Sequence, residues 1–255
     1  MEITSFVHPK RVPNMADAEE VFLNTKELAD FGVLIPNQRG FERAKALGAK
    51  KFNVFFSPSN EFNYRNLGKT LEETYIGLEK MLEDEDRKNI RAYISCAFGC
   101  PFEGLPSDYK LKDSIEKASN LAEDVVLCDT IGAAYPSKVT RTLELTKRID
   151  SKISLHLHEK KTGSNNIFSN VKSALDWGIN SFDSSINGLG GCPFMPDSGS
   201  NLSTNQLINW ANNNGYDTGI DLKELTYATE LVRSLEKRRQ KFPEGFITET
   251  TSVAE

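Results

Sequence analysis

The chain has 255 residues, with 31 Lys and Arg against 36 Asp and Glu, a net charge of −5 and a sequence pI near 5.4. That length suits a single domain over 1–255, with a polar tail from 243, and can bury a sizeable core. The acid excess without a basic stripe excludes nucleic acid as a partner, the lack of an apolar run of about 18 residues excludes a helical membrane span, and four cysteines with no visible signal or transit peptide suit a reduced, cytoplasmic chain better than a disulfide framework.

Hydrophobic patterning predicts strands and helices in alternation. Glu2–Phe6 reads as a strand and Met15–Ala29 as a helix, with Ala16, Ala18, Val21, Phe22 and Leu28 at helical spacing. Gly32–Pro36 is a strand, Arg39–Leu47 a helix closed by Gly48, and Lys51–Phe56 a strand followed by a polar loop, Ser57–Gly68. A long helix spans Thr70–Asp86, then come a strand, Ile90–Ser95, and a loop, Cys96–Leu105. Asp108–Leu121 is helical and Val125–Cys128 a strand. Pro136–Arg148 is a helix with proline in its first turn, where a missing N–H matters least. After the strand Ile153–His158 come the helix Asn166–Trp177, the strand Ser181–Ile186 and two closing helices, Thr204–Asn213 and Leu222–Lys237. Ser203 or Asn201 is placed to cap the first of these. Alternation of this kind argues for parallel βαβ units, with seven strands in the sequence as given.

Two stretches carry chemistry. In Ile153-Ser-Leu-His-Leu-His158 the apolar and polar residues alternate, so Ser154, His156 and His158 share one strand face. Two imidazoles about 6.5 Å apart along a strand can meet at one metal ion; a buried, hydrogen-bonded pair is the other reading. The second stretch, Asp183–Asn201, is a glycine-rich loop with one cysteine, Cys192, among Gly188, Gly190, Gly191 and Gly199. It is either a surface turn or a loop that brings a thiol against a ligand. Cys96 and Cys100 form a C-x3-C pair, but no further soft ligands stand at zinc spacing, so both read as structural.

Gly188-Leu-Gly-Gly-Cys-Pro193 together with His156-x-His158 resembles the 3-hydroxy-3-methylglutaryl-CoA lyase family. The similarity continues through Glu2–Phe6, Pro9, Val12-Pro13, Ser95-Cys96, Gly99–Gly104, Asp129–Gly132 and Asp183–Ser185, all in order. The glycine–cysteine loop is specific to that family; the His-x-His strand is shared with other metal-dependent Claisen-type enzymes.

The resemblance implies a TIM-type (β/α)8 barrel with seven of eight strands present. The strand implied to be missing carries an arginine and a metal-binding aspartate in the family, so the chain is expected to bind metal weakly. It implies Mg²⁺ or Mn²⁺ held by His156, His158 and Asn201, with an acyl-CoA substrate and a homodimer as an option. The implied reaction is retro-Claisen cleavage to acetyl-CoA and acetoacetate, as in leucine degradation and ketone-body formation. Cys192 would protonate the enolate carbon, and His156 would relay the hydroxyl proton. Glu2 and Asp129 would support the site, although Asp129 also suits a turn cap and Glu2 a buried structural pair. Ser5, Tyr93 and Ser95 would bind substrate. The chain departs from the family at Glu159, in a longer segment 159–166, at Val126 and at Asn205. Those departures leave open a related acyl-CoA lyase or Claisen-type enzyme, or an inactive paralogue serving as a scaffold.

Overall fold

The computed structural model describes residues 1–159, 167–190 and 199–239. Seven parallel strands lie side by side in chain order: β1 (Glu2–Ser5), β2 (Gly32–Leu34), β3 (Lys51–Phe56), β4 (Ile90–Ile94), β5 (Asp124–Cys128), β6 (Lys152–His156) and, after a short β7, β8 (Phe182–Asp183). This is the sheet of a TIM-type α/β barrel; among the described residues, β1 and β8 are its two unpaired edges. β7 (His158–Glu159) leaves the sheet and pairs antiparallel with β9 (Ser200–Asn201).

Period-two alternation sorts the strands into two faces. Phe52, Val54, Ala92, Ile94, Val125, Leu127 and Leu155 join one buried cluster with Phe41, Leu78, Ile115, Leu143 and Val171 from the surrounding helices. The alternate residues Asn53, Arg91, Asp124 and Ser154 meet other polar groups on the opposite face.

The helices follow from their caps. Asn37, Ser59, Ser107 and Ser203 accept a backbone N–H at the starts of α2 (Gln38–Ala46), α3 (Asn60–Leu67), α5 (Asp108–Leu121) and α8 (Thr204–Asn213). Thr70 and Glu73 form a reciprocal capping box on α4 (Leu71–Leu82). Pro136 opens α6 (Pro136–Glu144). The remaining helices are α1 (Ala18–Thr25), α7 (Ile167–Asp176) and α9 (Leu222–Arg239). No helix among the described residues is long and apolar enough to cross a membrane.

Several elements differ from the patterning. The polar loop 57–68 contains α3, which the Ser59 cap starts and Gly68, at φ +70°, ends. The first helix is shorter than expected: a 3-10 turn at Pro13–Met15 precedes α1, and Thr25 bonds back to the Val21 carbonyl at 2.6 Å where α1 stops. The last strand of the sheet stops at Asp183, because the chain turns into a 3-10 segment, Ile186–Gly188, with Asn187 at φ +57°.

Candidate active site

In parallel barrels the loops after the strand C-termini build the site, and here the histidines lie there. His156 ends β6 beside Cys128, which ends β5. One residue later the chain leaves the sheet, so His158 stands opposite Asn201 across the β7–β9 pair. The consequence is convergence: His156 Nε2 lies 3.2 Å from His158 Nε2, and His158 Nε2 lies 3.0 Å from Asn201 Oδ1.

Proton bookkeeping at these atoms is informative. His158 Nδ1 lies 3.1 Å from the Thr130 carbonyl, which only accepts, so Nδ1 carries the proton and Nε2 a lone pair. Desolvation, followed by the neighbouring His156, pushes the His158 pKa down to about 4, so the ring is neutral at pH 7. Asn201 Nδ2 donates to the Leu189 carbonyl at 2.7 Å, which fixes Oδ1 as the atom facing His158. His156 Nδ1 donates to Asp183 Oδ2 at 3.2 Å, which leaves its Nε2 as a third acceptor. With both rings neutral, three lone pairs face one another, an arrangement a cation relieves. Two imidazole nitrogens and an amide oxygen suit a divalent metal that also takes oxygen ligands. Among the described residues no group of three or more His, Cys, Asp or Glu could hold one; here the third donor is an amide. Both histidines are oriented from behind, by Asp183 and by Thr130, as ligating histidines usually are.

The structure adds Asp183 and Arg91 to the site residues that the sequence suggests. Desolvation would raise the Asp183 carboxyl, but the His156 bond and the Arg91 charge outweigh it and hold it below the usual range. The sequence signal for Arg91 is a polar residue at an inward strand position; Asp183 stands in addition within the family-like segment Asp183–Ser185.

The other expected residues are distributed as follows. Tyr93 meets the His156 ring edge-on, with centroids 6.2 Å apart, and its hydroxyl accepts from Arg91. Ser5 ends β1 with a buried hydroxyl that has no hydrogen-bond partner among the described residues. Ser95 lies one residue beyond β4, its N–H bonded to the Phe56 carbonyl. Asp129 accepts from the Ala133 and Ala134 amides at 2.7 and 3.1 Å, the geometry of a turn cap, and desolvation raises its pKa to about 6. Glu2 accepts from Asn53 Nδ2 at 2.6 Å and makes no hydrogen bond to either histidine. Its carboxyl pKa is raised, chiefly by desolvation, although the residue as a whole keeps an exposed face. Cys192 and residues 160–166 lie outside the described residues.

The glycine loop reaches the site through its described ends. Gly188 and Gly190 have φ of +71° and +94°; an added Cβ would lie 2.8 Å from the Asn201 carbonyl oxygen and 2.7 Å from Asn201 Nδ2 respectively. Only glycine lets this backbone lie against Asn201. Of the departures, Val126 is fully buried, and Asn205 accepts from the Asn187 N–H while donating to Thr229.

The HMGL-like family model matches residues 12–232. The hydroxymethylglutaryl-CoA lyase YngG of Bacillus subtilis is 35% identical over 242 residues, which cover 91% of this chain and 79% of that one. The (R)-citramalyl-CoA lyase of Chloroflexus aurantiacus is 34% identical over 248 residues, 90% of this chain and 77% of that one. Among solved structures, an HMG-CoA lyase of Acinetobacter baumannii in complex with coenzyme A and 3-methylmalate superposes with a TM-score of 0.84 at 29% identity, covering 98% of this chain and 84% of that one.

Proposed function

The chain belongs to the HMGL-like family, and we infer that it is a carbon–carbon lyase that cleaves 3-hydroxy-3-methylglutaryl-CoA to acetyl-CoA and acetoacetate. The observation that carries this reading is the convergence of His156 Nε2, His158 Nε2 and Asn201 Oδ1 at the end of β6. These three residues would hold Mg²⁺ or Mn²⁺, which would supply Lewis acidity toward the substrate's oxygens.

The protein's own residues do the rest. With its Nδ1 committed to Asp183, His156 has only Nε2 left, so ligation and proton relay compete for one atom; we assign His156 to ligation. Asp129, whose N–H bonds the His156 carbonyl at 2.8 Å and whose carboxyl also caps the Ala133 and Ala134 amides, is assigned to accept the hydroxyl proton, its pKa raised to about 6 by desolvation. As the hydroxyl oxygen becomes the ketone of acetoacetate, the C2–C3 bond breaks and its electron pair moves into the thioester enolate. Cys192 protonates the enolate carbon; a thiol gives up a proton more readily than a hydroxyl. Ser5, Tyr93 and Ser95 bind and orient the acyl group. We further infer a cytoplasmic homodimer acting in leucine degradation and ketone-body formation, a reading that the family likeness supports.

A second reading keeps the chemistry and changes the acyl group. Similarity to a citramalyl-CoA lyase is nearly equal to that of the hydroxymethylglutaryl-CoA lyase, and the sequence departs from the family at 159–166, next to His158. The test is acetyl-CoA release from 3-hydroxy-3-methylglutaryl-CoA and from citramalyl-CoA, with Mn²⁺ and with chelator. Faster turnover of the first supports the leading reading and faster turnover of the second the alternative. No release from either, or release undiminished by chelator, overturns both.

A further inference from the structure

Arg91 is a charged side chain on β4 that the lyase chemistry does not use, and its side chain is only 26% exposed. Its guanidinium touches three groups on the polar face of the sheet. Nε donates to Asp124 Oδ2 at 2.8 Å, and Nη1 donates both to Asp183 Oδ1 at 2.7 Å and to the Tyr93 hydroxyl at 2.9 Å. The second oxygen of Asp183 accepts from His156 Nδ1, and the Tyr93 ring packs edge-on against the His156 ring. Arg91 therefore holds two of the groups that touch the His156 ring, Asp183 and Tyr93. A carboxylate gripped at one oxygen presents the other in a fixed direction. A planar fork can do this while also reaching Asp124 on a separate strand; an ammonium, a single point charge, cannot.

We propose that Arg91 is a positioning residue for His156: through Asp183 and Tyr93 it fixes the ring so that Nε2 faces His158 and Asn201. This deepens the lyase reading and rests on it only for what the fixed nitrogen is used for. The bland alternative is a buried staple joining β4, β5 and β8, which would loosen the whole rim when cut.

The test uses the chain's three histidines, labelled with ¹⁵N and observed by NMR without metal or acyl-CoA. The wild-type protein shows His156 and His158 each with a proton on Nδ1. Arg91→Lys and Asp183→Asn each speed exchange of the His156 Nδ1 proton by about tenfold or more, and the double variant does no more than either alone, as residues acting through one path require. The His158 Nδ1 proton, held by the Thr130 carbonyl, stays unchanged and serves as the internal control. Should Arg91→Lys not fold, Arg91→Gln is read the same way. An unchanged His156 proton, equal loosening of both histidines, or multiplying effects in the double variant overturns the proposal. Because no metal or substrate is present, a failed lyase assay leaves these spectra interpretable, and unchanged spectra leave the lyase reading standing.

Discussion

His158 Nε2 and Asn201 Oδ1 face each other at 3.0 Å, acceptor against acceptor. Two lone pairs at that distance repel, so the site is built for something positive between them. His158→Ala and Asn201→Ala should each weaken Mn²⁺ binding by about tenfold or more, the scale on which lost support at a metal site is felt. Titration of the free aquo ion by electron paramagnetic resonance checks this. Alanine variants that bind as tightly as the parent would remove these residues from the ligand set.

The same histidine makes a pH prediction. Its pKa falls from the ordinary 6.5 to about 4 in the folded chain. Between those values the unfolded chain binds a proton that the folded one refuses, so this contribution to stability grows as pH rises from 4 to 6.5 and is lost on acidification. Asp129, raised to about 6, acts oppositely over 4 to 6, because there the folded chain holds the extra proton. Denaturant unfolding of His158→Gln should therefore lose the rise, by about 2–3 kcal/mol, and expose the downward Asp129 slope. An unaltered pH profile would refute the assignment.

Gly190 predicts a backbone effect. In Gly190→Ala the new methyl meets Asn201 Nδ2 at 2.7 Å in a left-handed conformation, with a strain of about 1–3 kcal/mol. Relief requires moving either the loop or the amide. Mn²⁺ affinity should drop while the thermal midpoint shifts by only a few degrees. Gly104→Ala, also left-handed but with open space around it, is the control and should leave Mn²⁺ binding alone.

Cys192→Ser should lower turnover by about 10²- to 10⁴-fold with little change in KM, the signature of a lost proton donor. Cys100→Ser should stay within a few-fold, because that thiol is buried against Ser59, apart from the histidines. Equal losses in both variants would make Cys192 a structural residue.

Much of the architecture is legible in the sequence because each strand writes its two faces into a period of two. The histidine pair is legible for the same reason, yet its geometry is not. His158 leaves the sheet because β9 supplies a partner 43 residues away, and no local pattern announces a pairing that distant. The helix α3 stayed hidden for a different reason. NEFNYRNL buries only Phe62 and Asn63, too little for a periodic signal, so the cap at Ser59 and the stop at Gly68 carry it. Arg91 and Asp183 belong to strands far apart in sequence, and only the curvature of the sheet shows that one grips the other.

The carboxamide of Asn201 has two ends with separate duties: oxygen toward His158, nitrogen on the Leu189 carbonyl. A group so divided couples its two neighbours thermodynamically, and the coupling is reciprocal. Whatever factor an anchored Leu189 adds to cation affinity, a bound cation returns as slower hydrogen exchange across Gly188–Gly190. The glycine segment and the histidines, joined among the described residues through the Asn201 amide, thus answer to a single binding isotherm.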